Sequence, residues 1–221
     1  SETAVQRLVA ARAEAPFTTV EDLALRARLD AGDLQALSGG DALTSLAGHR
    51  RQQVWEASAL RAAPALLREA PVDEDWLELA AAAEGEAVAL DYAALGFTLR
   101  RHPLAFLRDW LTRHRLSSSE ELSRQPDGRL SRACGLVTVR QQPQTAKGTV
   151  FVTLEDETGC VNVIVWKHVR ERHRRVLLGA QLLAVMGTWQ RQGAVCHLVA
   201  GHLIDLTPLL GRLSVGSRDF R

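Results

Sequence analysis

Cysteine is scarce in this chain. Cys134, Cys160 and Cys196 are far apart, odd in number and form no C-x-x-C pair. That excludes a disulfide framework and a thiolate metal site; buried, reduced thiols are expected instead. Also missing are an apolar run long enough to span a bilayer and a secretory leader, so a soluble, cytosolic protein is expected. The opening Ser1-Glu2-Thr3 starts almost inside a helical pattern, as expected of a piece of a longer chain. There is no phosphate loop, nucleophile elbow or Cys-His arrangement. Two carboxylate pairs, Asp73-x-Asp75 and Glu155-x-Glu157, have a spacing that could serve metal ions. The first lies in an acid-rich linker and the second in a hairpin turn, so both read as solvated acidic turns. His168 and His173, like His197 and His202, are five apart. On a strand that spacing puts the second pair on opposite faces, which argues against a shared metal. No catalytic residue and no cofactor are expected of this stretch itself.

What the chain does have is a run of strands. Gly135–Arg140, Thr149–Leu154 and Val161–Trp166 alternate apolar with polar residues, a period of two. Gln141–Gly148 between the first two suits a flexible loop. Asp156-Glu157-Thr158-Gly159 supplies a tight turn after the second, with Gly159 free to take positive φ. Val150, Val152, Leu154, Val161, Val163 and Val165 would share the inner face, leaving Phe151, Thr153, Asn162, Ile164 and Trp166 on the other. His168–Leu178 reads as a short helix stopped by Gly179. Gln181–Trp189 and Ala194–Leu206 are a fourth and a fifth strand. Three strands, a helix and two more strands is the order of the OB-fold barrel, although another small barrel would share the pattern.

Charge divides the chain. Its net charge is +1, but residues 1–128 hold 14 basic against 20 acidic side chains, and residues 129–221 hold 13 against 6. An acidic first part and a basic second part imply different partners, with nucleic acid favoured for the basic one.

The first part reads as short helices. Val5–Ala15 carries Val5, Leu8 and Val9 on one side and ends at Pro16. Thr18-Thr19 with Glu21 and Asp22 starts a helix to about Arg28. Asp33 is expected to cap Leu34–Leu37, which Gly39-Gly40 ends. Ala42–Leu46 is a further turn, and His49–Ala63 a longer helix with Val54, Trp55 and Leu60. His49-Arg50-Arg51 reads as a solvated helix end. Pro64–Gly85 reads as a linker with an exposed helix. Asp91 is expected to cap a segment to Leu116 that Gly96 and Pro103 break. Ser117–Glu121 starts another helix, and Gln125–Gly128 turns into the barrel.

The wording of GLVTVRQQPQTAKGTVFVTLEDETGCVNVIVW, LLAVMGTWQRQGAVCHLVAGHLIDL and the terminal SRDF closely resembles the C-terminal OB domain of the bacterial error-prone C-family DNA polymerases. These are translesion paralogues of the DNA polymerase III alpha subunit. The resemblance runs upstream through PFTTVEDLALRARLDAGDLQALSGGDALTSLAGHRRQQVWEASAL and DYAALGFTLRRHPLAFLR, covering nearly the whole chain. Arg221 departs from the family's common His. The implied fold class is α+β: an all-α helix-hairpin-helix-like region (1–63), a linker and helical connector (64–128), a five-stranded OB barrel (129–206) and a tail (207–221). In the family the helix-hairpin-helix binds duplex DNA. Here Leu29-Asp30-Ala31-Gly32 and Ser38-Gly39-Gly40 replace the usual Gly-x-Gly turn, and Asp30, Asp33 and Asp41 would repel phosphate. A helical scaffold without DNA contact stays open.

The resemblance places palm, thumb and fingers N-terminal to this stretch, with the Mg²⁺ that a parent polymerase needs. It implies single-stranded template as the barrel's ligand. Phe151 and Trp166 on the outward strand 2–3 face, with Trp189 leading into the loop between the fourth and fifth strands, are candidates for stacking on bases; core packing is the alternative for each. Arg140, Lys147, Lys167 and Arg191 are candidates for phosphate contact. Arg170, Arg172, Arg174 and Arg175 read as the charged outer face of the connecting helix. The family's partners in a damage-induced mutasome are a catalytically inactive Y-family-like protein, a RecA-like accessory protein and the sliding clamp. No clamp-binding peptide is evident, so clamp contact through a partner is expected. A protein-docking platform without DNA binding is the competing reading. An OB domain of a tRNA synthetase or helicase would fit the barrel, but not the residues before it.

Overall fold

The computed structural model describes residues 1–60, 77–146, 148–193 and 195–211. The chain forms two compact units, Ser1–Thr98 and Leu99–Arg221.

In the first unit, helices α1 (Glu2–Glu14), α2 (Val20–Arg26), α3 (Ala31–Gly39), α4 (Thr44–Ala47), α5 (Arg50–Ala59) and α6 (Glu84–Leu95) gather around Val20, Leu23, Leu34, Leu43, Ala47 and Ala57. Local chemistry sets the helix starts. The Thr19 hydroxyl accepts from the Asp22 N–H at 3.0 Å. Asp30 caps α3 and Asp33 reaches back to it, a reciprocal capping box. The expected cap at Asp33 is thus the third residue of the helix, not its cap. Val5 and Val9 are exposed, whereas Ala4 and Ala11 are buried. Leu8 packs partly buried against that cluster, so of the expected apolar side only Val5 and Val9 face out.

Polar groups hold this unit together. Fully buried Gln53 accepts from the Leu43 N–H at 3.1 Å and donates to Asp41 at 2.7 Å and to the Gly48 carbonyl at 2.6 Å. Arg50 is buried and paired with Asp91, while Arg51 forks onto Glu86 at 2.7 and 2.9 Å. Nε2 of His49 is 2.7 Å from the Leu79 carbonyl. The His49-Arg50-Arg51 cluster is therefore a staple between α5 and residues 79–91, not a solvated helix end. Asp91 lies inside α6 rather than capping a helix, because a buried guanidinium needs its carboxylate there.

The second unit is built on a closed antiparallel-dominated barrel. Strands β1 (Leu130–Gln141), β2 (Val150–Asp156), β3 (Gly159–Val165), β4 (Leu182–Gln192) and β5 (Val195–Asp205) follow the order β1-β2-β3-β5-β4, the OB-fold topology. Helices α7 (Pro103–Arg113) and α8 (Ser119–Ser123) precede β1, and α11 (Pro208–Gly211) follows β5. Between β3 and β4 the chain makes two short helices, α9 (Lys167–Arg172) and α10 (Arg174–Gly179), where one was expected. The break is at His173, which leaves helical geometry at φ −112°, ψ 27°.

The barrel interior is almost entirely aliphatic: Val152, Leu154, Val163, Val165, Leu183, Val185, Leu198 and Leu203 are all buried. Each contributes about 1.5–3 kcal/mol on leaving water. A second core lies outside the barrel, where Leu104, Leu107 and Leu111 of α7 cover Cys134, Leu182 and Ala184. The first half of β4 is consequently buried on both faces, while β2 and β3 alternate buried and open positions. One side of the barrel is thus covered and the β2–β3 side is left to solvent. Cys134 is buried, and its thiol is pushed up to about 12 by burial. Cys160 is exposed, contrary to expectation, because it takes an outward position next to the β2–β3 turn.

That turn is fastened to α7 and α8. Buried Asp156 accepts from the Thr158 and Gly159 N–H groups at 2.8 and 3.0 Å and from the Ser119 N–H at 2.7 Å. Arg108 forks onto Glu157, one arm at 2.8 Å. The Glu155-x-Glu157 turn is therefore partly a structural ion pair, not a solvated loop. Burial alone would push the Glu157 carboxyl up, but the hydrogen bond and charge of Arg108 outweigh it and hold it below its ordinary range.

Candidate nucleic-acid interface

The open side of the barrel carries a continuous outward row. Cross-strand pairing joins Gln141 to Phe151, Phe151 to Ile164, Ile164 to Val199, Val199 to Thr188 and Thr188 to Leu130. Phe151 is 41% exposed and Trp166, at the N-cap of α9, is 47% exposed. Large rings left this open are available for stacking, since the aliphatic interior does not need them. Beyond Trp166 a shallow groove of about 440 Å³ continues over Leu130, Met186, Val199 and His202.

The expected site residues fall into three groups. Phe151, Trp166 and Lys167 are brought together: Val150 pairs with Val165, so the start of β2 lies against the end of β3, and exposed Lys167 opens α9 directly after Trp166. Gly148, at φ +89°, brings the loop between β1 and β2 against the same place, where an added Cβ would sit 3.5 Å from Lys167 and 3.4 Å from Arg170. Lys147 lies outside the described residues, as do Asp73 and Asp75.

The expectation for Trp189 is corrected, while Arg140 and Arg191 are engaged away from the aromatic face. Trp189 is 3% exposed and packs in the barrel core, because its partner Leu198 fixes it in the inward phase of β4. It cannot stack on a base without unfolding the barrel. Arg140 pairs with inward-facing Val152 and donates to the Ala180 carbonyl, so it points to the barrel's end rather than onto the aromatic face. Burial there disfavours its charged form. The Arg191 guanidinium donates to the Ser123 carbonyl while its N–H reaches Asp127 at 2.8 Å. It holds the β4–β5 hairpin onto the turn before β1.

Some features escaped the sequence reading. Leu130 was missed because β1 begins five residues earlier than its alternation indicated, and Val139 and Val199 share the outward phase of Phe151. His173 and His202 meet edge-on, ring centroids 4.5 Å apart, though 29 positions separate them in sequence. Burial, the His202 ring and Arg172 lower the His173 pKa.

The model of the helix-hairpin-helix motif family matches residues 1–53. The chain is 55% identical over 220 residues to an error-prone DNA polymerase of Ralstonia pickettii, a match covering 98% of this chain and 20% of that protein. It is 54% identical over 218 residues to the error-prone DNA polymerase of Ralstonia nicotianae, covering 97% and 20%. The chain resembles the C-terminal part of error-prone DNA polymerases over nearly its whole length. It spans about a fifth of the length of the curated relatives it matches. Among solved structures, an asparaginyl-tRNA synthetase from Pyrococcus horikoshii aligns at a TM-score of 0.36 and 18% identity, over 41% of this chain and 22% of that one. A likeness that distant carries no argument about function.

Within the stretch matched to the helix-hairpin-helix motif, the acidic side chains of the turns are engaged internally. Asp30 caps α3 with Asp33 reaching back to its backbone, and Asp41 accepts from Gln53. The turn at Arg28 takes positive φ (49°), and a second at Gly48 does so at 70°. Among the described residues no three histidine, cysteine or carboxylate groups converge as a metal site would need. No described helix is long and apolar enough to cross a membrane.

Proposed function

We propose that this chain is a non-catalytic C-terminal part of a bacterial, cytoplasmic error-prone polymerase for translesion synthesis, and that its barrel holds single-stranded template. The observation that carries this is the pair of exposed rings, Phe151 and Trp166, on a barrel side outside the cluster that α7 covers. Bases stack there while Lys167 neutralises a phosphate, with Lys147 as a further candidate in the preceding loop. The polymerase's Mg²⁺ belongs with its catalytic carboxylates, for which the described residues offer no donor set. A cofactor is not required for strand binding.

In the damage response the same region would position the template for mutasome partners: a catalytically inactive Y-family-like protein, a RecA-like accessory protein and, through them, the sliding clamp. A docking role for the helical unit draws support from its exposed Val54, Trp55 and Leu90, which line an apolar groove of about 570 Å³. Docking without any DNA contact is the alternative.

Anisotropy of a labelled oligothymidylate titrated with the chain at several salt concentrations tests the reading. Binding that weakens with salt, by a slope of about −0.7 per phosphate engaged, is expected. Absence of binding at low salt would leave the docking role.

A further inference from the structure

The end of the barrel beside the β1–β2 loop holds a second concave site, distinct from the aromatic face. A cavity of about 550 Å³ opens between the end of β1 and the helices α9 and α10. Arg140, Arg170 and Arg174 reach it, and Val150, Leu177 and Leu178 form an apolar wall. One carboxylate, Glu171, faces these three cations; it stands 3.9 Å from Arg170 and is largely in water. Arg140 is anchored on the Ala180 carbonyl, which orients its guanidinium. Among the described residues no ion pair is formed by Arg174 or Arg140.

Charge is also sorted along the barrel axis. The β2–β3 turn at one end carries Glu155, Asp156 and Glu157 against the Arg108 cation, while Lys167 and the three arginines gather at the other against Glu171. An anionic polymer is steered to the second end and repelled from the first. Val150 lines the cavity from the inward phase of β2 and Phe151 follows it on the outward phase, so the two sites adjoin at the start of β2. Positively charged, partly apolar concavities of this size suit a nucleotide, with phosphate on guanidinium forks and a base or sugar on the aliphatic wall.

We infer that this barrel-end cavity binds the sugar-phosphate backbone of the same single strand as it leaves Phe151 and Trp166 and passes over the β1–β2 loop. The inference rests on the strand-binding reading above and adds a direction and a second contact to it. Arg170 and Arg174, read from sequence as a solvated helix face, are then phosphate ligands. Arg140 is one as well, at this end of the barrel.

The test compares oligothymidylates of about four nucleotides, enough for the aromatic face, with ones of about twelve, which reach further. In the wild-type chain the longer strand should bind more tightly and with a steeper salt dependence. Arg174→Ala should leave the short strand's affinity unchanged. For the long strand it should reduce the slope by about 0.7 for each phosphate released. Leu178→Glu adds a carboxylate at the exposed rim without removing an arginine, and should weaken the long strand alone. If both variants bind long and short strands as the wild type does, while Phe151→Ala still weakens both, the cavity assignment is overturned and the strand face stands. If the wild type binds neither strand, both readings fall.

Discussion

The two units of this chain are stabilised by different means. The barrel is held by aliphatic side chains on alternating positions, with polar groups kept to its turns. The helical unit has short helices and a small apolar cluster, and relies on buried Gln53, Arg50 and Asp91 to connect them. A dry core tolerates modest changes in shape, whereas a buried polar network fails when one partner is removed. The difference also assigns work. A unit whose interior is complete can leave aromatic rings outside, and Phe151 and Trp166 are such rings.

The largest effect is expected where the barrel has no room. A Cβ at Gly187 would lie 2.0 Å from the Val199 carbonyl oxygen, at the irregularity between β4 and β5. Gly187→Ala should therefore cost about 3 kcal/mol or more and lower the thermal midpoint of the strand signal. A melt like that of the wild type would show that the barrel yields as easily as the helical unit.

Next comes the helical unit's own weak point. Arg50→Ala leaves the Asp91 carboxylate buried without its guanidinium, at a cost of about 3–5 kcal/mol. Hydrogen exchange should accelerate in α5 and α6 while β1–β5 keep their protection. Faster exchange in all elements together would mean that the two units unfold as one.

A smaller effect is expected with pH. The His102 pKa is lowered from its ordinary 6.5, chiefly by burial, against the pull of Glu155 and Glu157. Its contribution is present above that value and is lost as the pH falls toward the lower folded one. Glu157 is also lowered, from 4.5, so its contribution is present above that value and is lost as the pH drops through its folded pKa. Acid should thus loosen the α7 face of the barrel unit in two steps. In Glu157→Gln the lower step should shrink while the upper remains. An unchanged acid profile would show that the Arg108 fork contributes nothing to stability.

How legible each part was follows from the same contrast. Strand alternation with a period of two exposed the inner and outer faces of β2 and β3, including Phe151 and Ile164, from sequence alone, whereas Trp166 follows β3 as the N-cap of α9. Trp189 was misplaced because it stands near the end of a strand whose phase only the pairing with β5 decides. Arg140 was assigned to the loop beside it, but its pairing with Val152 turns it to the barrel's end. In the helical unit, Val5 and Val9 promised an apolar face, and packing chose Ala4 and Ala11 instead. Asp91 and Arg50 lie 41 positions apart, and no local pattern announces an ion pair across such a distance.

The central claim is that rings left out of a complete barrel core are there to bind single strands. The most direct measurement sets Phe151→Ala and Trp166→Ala beside Trp189→Ala, recording strand affinity and thermal melting for each. The account predicts that the first two weaken oligothymidylate binding roughly 5- to 150-fold, the equivalent of ~1–3 kcal/mol of stacking, with the melt nearly unchanged. Trp189→Ala should instead cost about 3–5 kcal/mol of barrel stability. Binding that survives loss of both exposed rings, or a barrel that melts early without them, would contradict it.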